Sequence, residues 1–219
     1  MTECQCDHIE ARFDEEYAAE MLALYRSAGP DPGTRALLEA ITREGVEGKT
    51  LLDIGGGVGA VQHGLLQQGV VSAQEVEASP SYGAASRAEA EQQGHGDRIT
   101  HLLGDFGSVA ADVEPADIVT LDRSVCCWHD PLTLVDQSAA KSRWLYGLVY
   151  PRDAWWVRHG WRYLSNARQM LKRSSLRLTT PRSADVEAVL ARHGLHRHSH
   201  RNLGVWQVAV YAKEVGRAD

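Results

Sequence analysis

Asp53, Gly55, Gly56, Gly57 and Gly59 stand together in the stretch TLLDIGGGVGAVQHGLL, residues 50–66. Glycines this close let the backbone turn sharply and approach a ligand with no Cβ in the way. The N–H groups left over at the start of a following helix favour polar or anionic atoms. Gly55, Gly57 and Ala60 satisfy the G-x-G-x-x-(G/A) spacing of dinucleotide-binding loops, a weak signal when it stands alone. The wider pattern is D-x-G-x-G-x-G, with Asp53 two residues ahead of the first glycine. A carboxylate there is expected to accept from an ammonium group rather than to face a pyrophosphate. Three further stretches carry chemistry: Glu77 and Ala78 in EVEASP, Asp105 and Phe106 in LLGDF, and Asp122 and His129 in LDRSVCCWHD, residues 121–130. Histidine titrates near neutral pH, which makes His129 a candidate general base, and Asp122 is a candidate for orienting a substrate or a donor's amino group.

These residues need a scaffold that brings strand ends together, and the chain reads as one. Two helical pieces, DEEYAAEMLALYRSA and GTRALLEAITREG, are split at GPDPG. Then KTLLDIG reads as a strand, GAVQHGLLQQG as a helix, VVSAQEVEA as a strand, and SPSYGAASRAEAEQQG as a helix with Ser79 as N-cap and Pro80 first. RITHLLGDF and ADIVTLDRSV follow as strands, DPLTLVDQSAAK as a helix and RWLYGLVYP as a strand. SADVEAVLARHG then reads as a helix, and LHRHSHRNL and VWQVAVYAK as an antiparallel pair around Gly204. Strands alternating with helices predict a parallel sheet covered on both faces, with ligands at the carboxyl ends of its strands.

Composition agrees with a globular chain: 219 residues, 43% hydrophobic, seven prolines. The acidic N-terminus and the lack of an 18-residue apolar run give no signal peptide and no membrane span, so a cytoplasmic location is expected. The formal charge of −6 hides a division, since residues 1–140 hold 8 Lys/Arg against 24 Asp/Glu, and residues 141–201 hold 13 against 3. Such halves can attract each other within one fold or across a homodimer, or present a surface to anions.

The four stretches, in this order, resemble the class I S-adenosylmethionine-dependent methyltransferases over about residues 45–150. The resemblance implies a Rossmann-like doubly wound seven-stranded α/β sheet whose last strand is antiparallel. It places residues 1–44 as an N-terminal helical addition and 45–219 as the methyltransferase domain. It implies S-adenosyl-L-methionine as cofactor, held by Asp53, Gly55, Gly56, Gly57, Gly59, Glu77, Ala78, Asp105, Phe106 and Asp122. In that reading Glu77 binds the ribose hydroxyls, Asp105 accepts from the adenine amine, Phe106 packs near the ring and the end of ADIVTLDRSV faces the methyl group. Asp53 and the terminal hairpin favour this over a nicotinamide-binding oxidoreductase; a cofactor-binding interaction protein is the non-enzymatic alternative.

Residues 151–182 are too long for a simple connection. Val157, Trp161, Leu164 and Leu171 fall on one helical face, with Trp155, Trp156 and Tyr163 adding aromatic bulk and Arg158, Arg162, Arg168, Lys172 and Arg173 adding charge. The segment reads as a cap over the site, whose lining would suit a planar or apolar small molecule carrying carboxylates; its placement is similar to that in magnesium-protoporphyrin O-methyltransferases. A helix packed on the sheet and a membrane-surface helix are the other readings. Nucleic acid is not expected, since DRSV stands where base-modifying amino methyltransferases carry an aromatic N-P-P-Y tetrad. His196, His198 and His200 alternate along a strand, but no carboxylate or cysteine accompanies them locally, and no metal is expected. Cys126 and Cys127 read as small hydrophobes leaving a buried strand, pointing opposite ways along extended chain. The alternative gathers them with Cys4 and Cys6 into a thiol cluster for a soft metal or metalloid.

Overall fold

The computed structural model describes Ile9, residues 12–171 and residues 178–213. Seven strands form one sheet: β1 Thr50–Ile54, β2 Ser72–Glu77, β3 Ile99–Leu103, β4 Ala116–Asp122, β5 Ser142–Pro151, β6 Leu195–Leu203 and β7 Trp206–Lys213. Their order is β3-β2-β1-β4-β5-β7-β6. The first five pair in parallel, and β7 lies antiparallel between β5 and β6. The helices are α1 Glu15–Ala28, α2 Pro32–Thr42, α3 Ala60–Gln67, α4 Pro80–Gln92, α5 Phe106–Val109, α6 Pro131–Ala139, α7 Arg162–Leu171 and α8 Ser183–Arg192.

Local chemistry sets the element ends. The Asp31 carboxylate accepts from Gly33 N at 2.8 Å and starts α2, with Pro32 in the first turn, where its missing N–H costs nothing. Ser79 caps α4, its hydroxyl accepting from Tyr82 N at 3.2 Å, with Pro80 first as expected. Gly204, at φ +59°, turns β6 into β7.

Two apolar layers cover the sheet. On one face Leu37 and Ile41 of α2 join Val61, Leu65 and Leu66 of α3 against Leu51, Ile118, Val149 and Val210. On the other, Phe106, Leu134 and Val135 pack with Val186, Val189 and Leu190 of α8 against Leu52, Val119 and Leu148. A sheet buried on both faces explains why β4 and β5 read as continuous apolar runs. Leu37 and Ile41 of α2 are fully buried in that cover.

Some boundaries differ from those the sequence predicts. The strand expected through Phe106 stops at Leu103, because Gly104 and Asp105 turn and Asp105 caps α5. The strand expected through Val125 stops at Asp122, where Arg123 takes φ +59°. The cap begins with a π-helical turn, Val157–Trp161, before α7. A bulge between Arg197 and Ser199 interrupts β6 at His198, so the three histidines do not alternate; His198 faces Glu44 and His200 faces Gln207. The acidic and basic parts of the chain meet directly at Arg192–Asp136 (3.1 Å) and Arg201–Glu39 (3.5 Å). No helix among the described residues is long and apolar enough to cross a membrane.

Candidate functional site

A cavity of about 630 Å³ opens at the carboxyl ends of β1, β2 and β4. That is within the size range of small-molecule sites. Of the residues the sequence singles out, Gly55, Gly56, Gly57, Glu77, Ala78, Phe106 and Asp122 line it; Asp53, Gly59, Asp105 and His129 do not.

The glycine loop is shaped by what lies behind it. Gly55 has φ +73°, and a Cβ there would sit 2.5 Å from Ser124 Cβ. Gly59 has φ +84° at the start of α3, where a Cβ would meet His63 Nε2 at 2.9 Å. Both positions combine a left-handed backbone with close packing, which only glycine accommodates without strain. The loop thus turns into α3 with its backbone facing the cavity.

Glu77 ends β2 on the cavity wall and is 7% exposed. Its two oxygens accept from Gly57 N at 3.0 Å and Ser79 N at 2.8 Å. Burial raises its carboxyl to about 7, against the opposing pull of these N–H groups. Each carboxylate oxygen retains a lone pair for a ligand. Phe106, fully buried at the start of α5, supplies an apolar wall. Ser124 lines the cavity with a buried hydroxyl that has no partner among the described residues, a group that a polar ligand would satisfy.

Four of the expected positions stand away from the cavity wall. Asp53 is fully buried beneath the loop, where its carboxylate accepts from the Thr120 hydroxyl at 2.7 Å and the Gln62 amide at 3.3 Å. A Cβ on Gly56 would lie 3.0 Å from Asp53 Oδ2 and 2.8 Å from Glu75 Oε1, so these side chains carry the loop from below and do not meet a ligand directly. Gly59 shapes the entry into α3 but is not part of the cavity wall. Asp105 accepts from Gly107 N at 2.7 Å as the cap of α5, leaving the wall to Gly104 and Phe106. His129 is exposed and stacks outside Trp128 at 6.0 Å, so no general-base role is assigned to it.

Burial lifts the Asp53 carboxyl to about 7; the Thr120 hydrogen bond opposes the shift, and the charges of Glu75 and Asp122 add to it. Because this lies above the unfolded value of about 3.9, the native chain holds the proton more tightly, and stability falls as pH rises from about 4 through 7. Asp53→Asn removes that dependence because an amide does not titrate, and Gln62 Oε1, which has no partner among the described residues, can accept from the new amide once Gln62 turns over. Relative to the parent chain, the variant should gain on the order of 2–4 kcal/mol between pH 5 and pH 8 in denaturant unfolding. An equal difference at both pH values would contradict this account of Asp53.

The sequence reading misses a second polar cluster. Asp122, at the end of β4, accepts from the Thr34 hydroxyl and from Arg123 Nε at 3.0 Å. Arg123 also pairs with Asp31, and its Nη2 donates to Thr34 Oγ1 at 3.2 Å. Two carboxylates therefore share one guanidinium, and burial raises the Asp122 carboxyl although Arg123 opposes the shift. This corner has charge to spare for a cation. Nothing local announces it, because Thr34 and Asp122 are 88 residues apart.

The roof is aromatic. Phe13, Tyr17 and Tyr82 lie with ring centroids 5.6–6.3 Å apart. The Arg12 guanidinium sits 4.4 Å from the Tyr17 ring centre, and Ser79 Oγ donates to Phe13 O at 2.8 Å. On the cap side, Trp161 and Trp206 meet edge to face at 5.4 Å and both line the cavity. Trp155 and Tyr163, each 78% exposed, and Trp156 do not line it. The π-helical turn adds residues to one turn, so the face carrying Val157 and Trp161 continues to Asn166 rather than to the exposed Leu164. Asn166 Oδ1 accepts from Leu178 N at 2.8 Å and pins the returning chain, which docks through Thr179 N onto Cys126 O at 2.8 Å. The expectations for Cys4, Cys6, Lys172 and Arg173 lie outside the described residues.

No protein-family model and no curated protein sequence matches the chain. Solved structures do. An O-methyltransferase family protein from Burkholderia thailandensis superposes with a TM-score of 0.71 at 15% identity, over 94% of this chain and 62% of that one. This chain therefore spans under two thirds of that protein's length. Magnesium protoporphyrin IX methyltransferase from Synechocystis PCC 6803, with bound SAH, gives 0.71 at 13% identity over 94% and 98% of the two chains. The methyltransferase component of a Haloferax volcanii complex with the Trm112 methyltransferase activator gives 0.66 at 14% over 93% and 96%.

Proposed function

We propose, for a chain that carries the class I methyltransferase fold, that it transfers a methyl group from S-adenosyl-L-methionine to a small molecule, on oxygen, nitrogen or sulfur. The observation that carries this reading is the placement of carboxylates at two strand ends of the cavity. Glu77 ends β2 beside Gly57 and Asp122 ends β4, so a ligand diol and a ligand ammonium each meet a carboxylate at a strand end. Bound there, S-adenosylmethionine supplies an electrophilic methyl group. The residues present fit it: Glu77 accepts from the ribose hydroxyls, the backbone of Gly55–Gly57 and the Ser124 hydroxyl meet the amino-acid end, and Phe106 packs on the adenine. Asp122 takes the amino group, held in orientation by Thr34 and Arg123.

Methyl transfer is an in-line displacement, so most of the protein's task is alignment and exclusion of water. Trp128, Trp161 and Trp206 supply an apolar wall, and Arg12 and Arg35 stand on the same cavity, which supports a planar, largely apolar substrate carrying a carboxylate. Methyl-labelled cofactor should pass its label to planar aromatic carboxylic acids. Label found only on RNA or protein would overturn the small-molecule reading. Trp161→Ala should lower that transfer at least tenfold while affinity for S-adenosylhomocysteine stays within threefold; equal losses in both would indicate a packing role instead.

A further inference from the structure

The extended chain expected at Cys126 and Cys127 is instead a 3₁₀ turn, Val125–Cys127. Successive side chains on such a turn are about 120° apart rather than opposed. The two Sγ atoms lie 3.9 Å apart, and Cys126 Sγ and Cys127 Sγ lie 3.2 Å and 3.8 Å from Arg123 O. Cys126 is buried, Cys127 is half-buried, and both line the cavity.

The spacing distinguishes two ways of linking the sulfurs. A disulfide requires an S–S distance of about 2.05 Å and Cα atoms roughly 4.4–6.8 Å apart, whereas adjacent Cα atoms across a trans peptide are about 3.8 Å apart. A single atom bonded to both sulfurs at about 2.3 Å, with an angle of roughly 95–110°, spans about 3.4–3.8 Å between them. The pair is nearly set for a bridging atom. A trivalent arsenic atom carrying one organic group is completed by two thiolates alone, and thiolate is the ligand that soft centres select.

We propose that Cys126 and Cys127 form a dithiol site that captures one trivalent organoarsenical, R–As(OH)₂, inside the cavity. Two As–S bonds form and two As–O bonds break. The two thiol protons leave with the two hydroxyls as two waters, and arsenic stays trivalent, so no oxidant or reductant is consumed. The Cys127 thiol is held below its usual range chiefly by its hydrogen bond with Cys126, with Arg12 contributing, while that contact and burial push Cys126 up. Cys127, the more exposed of the two, attacks first and Cys126 closes the ring. The organic group meets the apolar side of the cavity at Trp128 and Leu134. Capture needs no methyl donor and stands apart from the methyl-transfer reading.

The test uses phenylarsine oxide, which is hydrated to the dihydroxide, on full-length chain carrying Cys4→Ser and Cys6→Ser. Intact mass should show one phenylarsenic per chain that survives excess 2-mercaptoethanol and is removed by 2,3-dimercaptopropanol. Adding Cys126→Ser or Cys127→Ser should abolish the monothiol-resistant adduct. In the unsubstituted chain, alkylation followed by peptide mapping should find Cys126 and Cys127 protected, a readout independent of how the variants fold. No adduct, an adduct that survives loss of either cysteine, or one that requires Cys4 and Cys6 would overturn the proposal.

Discussion

Glu77→Ala lowers affinity for S-adenosylhomocysteine at least tenfold while the chain stays folded. The substitution removes a buried, charged acceptor from the cavity wall, a loss of roughly 1.5–3 kcal/mol, or about ten- to hundredfold in binding. The pH dependence is more diagnostic. A ligand diol donates to the ionised carboxylate, and burial raises Glu77 to about 7 in the free chain. Affinity therefore climbs as pH rises from 6 through 7 and levels off above about 8. Glu77→Gln, which keeps the shape and cannot ionise, binds weakly with a flat profile. Calorimetric titration at pH 6, 7 and 8 checks this, and an affinity for the parent chain that is constant across that range would exclude ionised Glu77 as the acceptor.

Gly55→Ala should be the most damaging small change in the glycine loop. Placing an L residue at φ +73° costs about 1–2 kcal/mol, and the new Cβ meets Ser124 Cβ at 2.5 Å, adding roughly 1–3 kcal/mol of overpacking. The expected result is a loss of about 2–5 kcal/mol in unfolding free energy together with loss of S-adenosylhomocysteine binding. Ser124→Gly in the same chain relieves the steric part and leaves the dihedral part, so the double variant recovers about half the stability. A Gly55→Ala chain as stable as the parent would show that the loop does not hold this conformation.

What the sequence made legible is what depends on short spacing. The glycine loop and the β6–β7 hairpin around Gly204 follow from turn chemistry and alternation within ten or so residues, whereas Glu77, Ala78 and Phe106 are legible only through the family resemblance. Asp53 misleads because a strand covered on both faces gives no signal of which way a carboxylate aims: Thr120 and Gln62 hold it under the loop. Leu164 misleads because a helical wheel assumes one pitch and the π-helical turn at Val157–Trp161 breaks it. Asp31, Thr34, Arg123 and the Phe13–Tyr17–Tyr82 roof carry no local pattern at all. They meet only when α1 and α2 fold over the strand ends, and Arg123 joins them by adopting a left-handed backbone that residue type alone does not announce.

The central claim is that this cavity receives the adenosyl-amino acid cofactor and not a dinucleotide. Isothermal titration of the full chain at pH 8 with S-adenosylhomocysteine and, separately, with NADH tests it most directly. The account predicts one S-adenosylhomocysteine per chain and no heat from NADH. Saturable binding of NADH, or no binding of S-adenosylhomocysteine by a chain that still unfolds cooperatively, would contradict it.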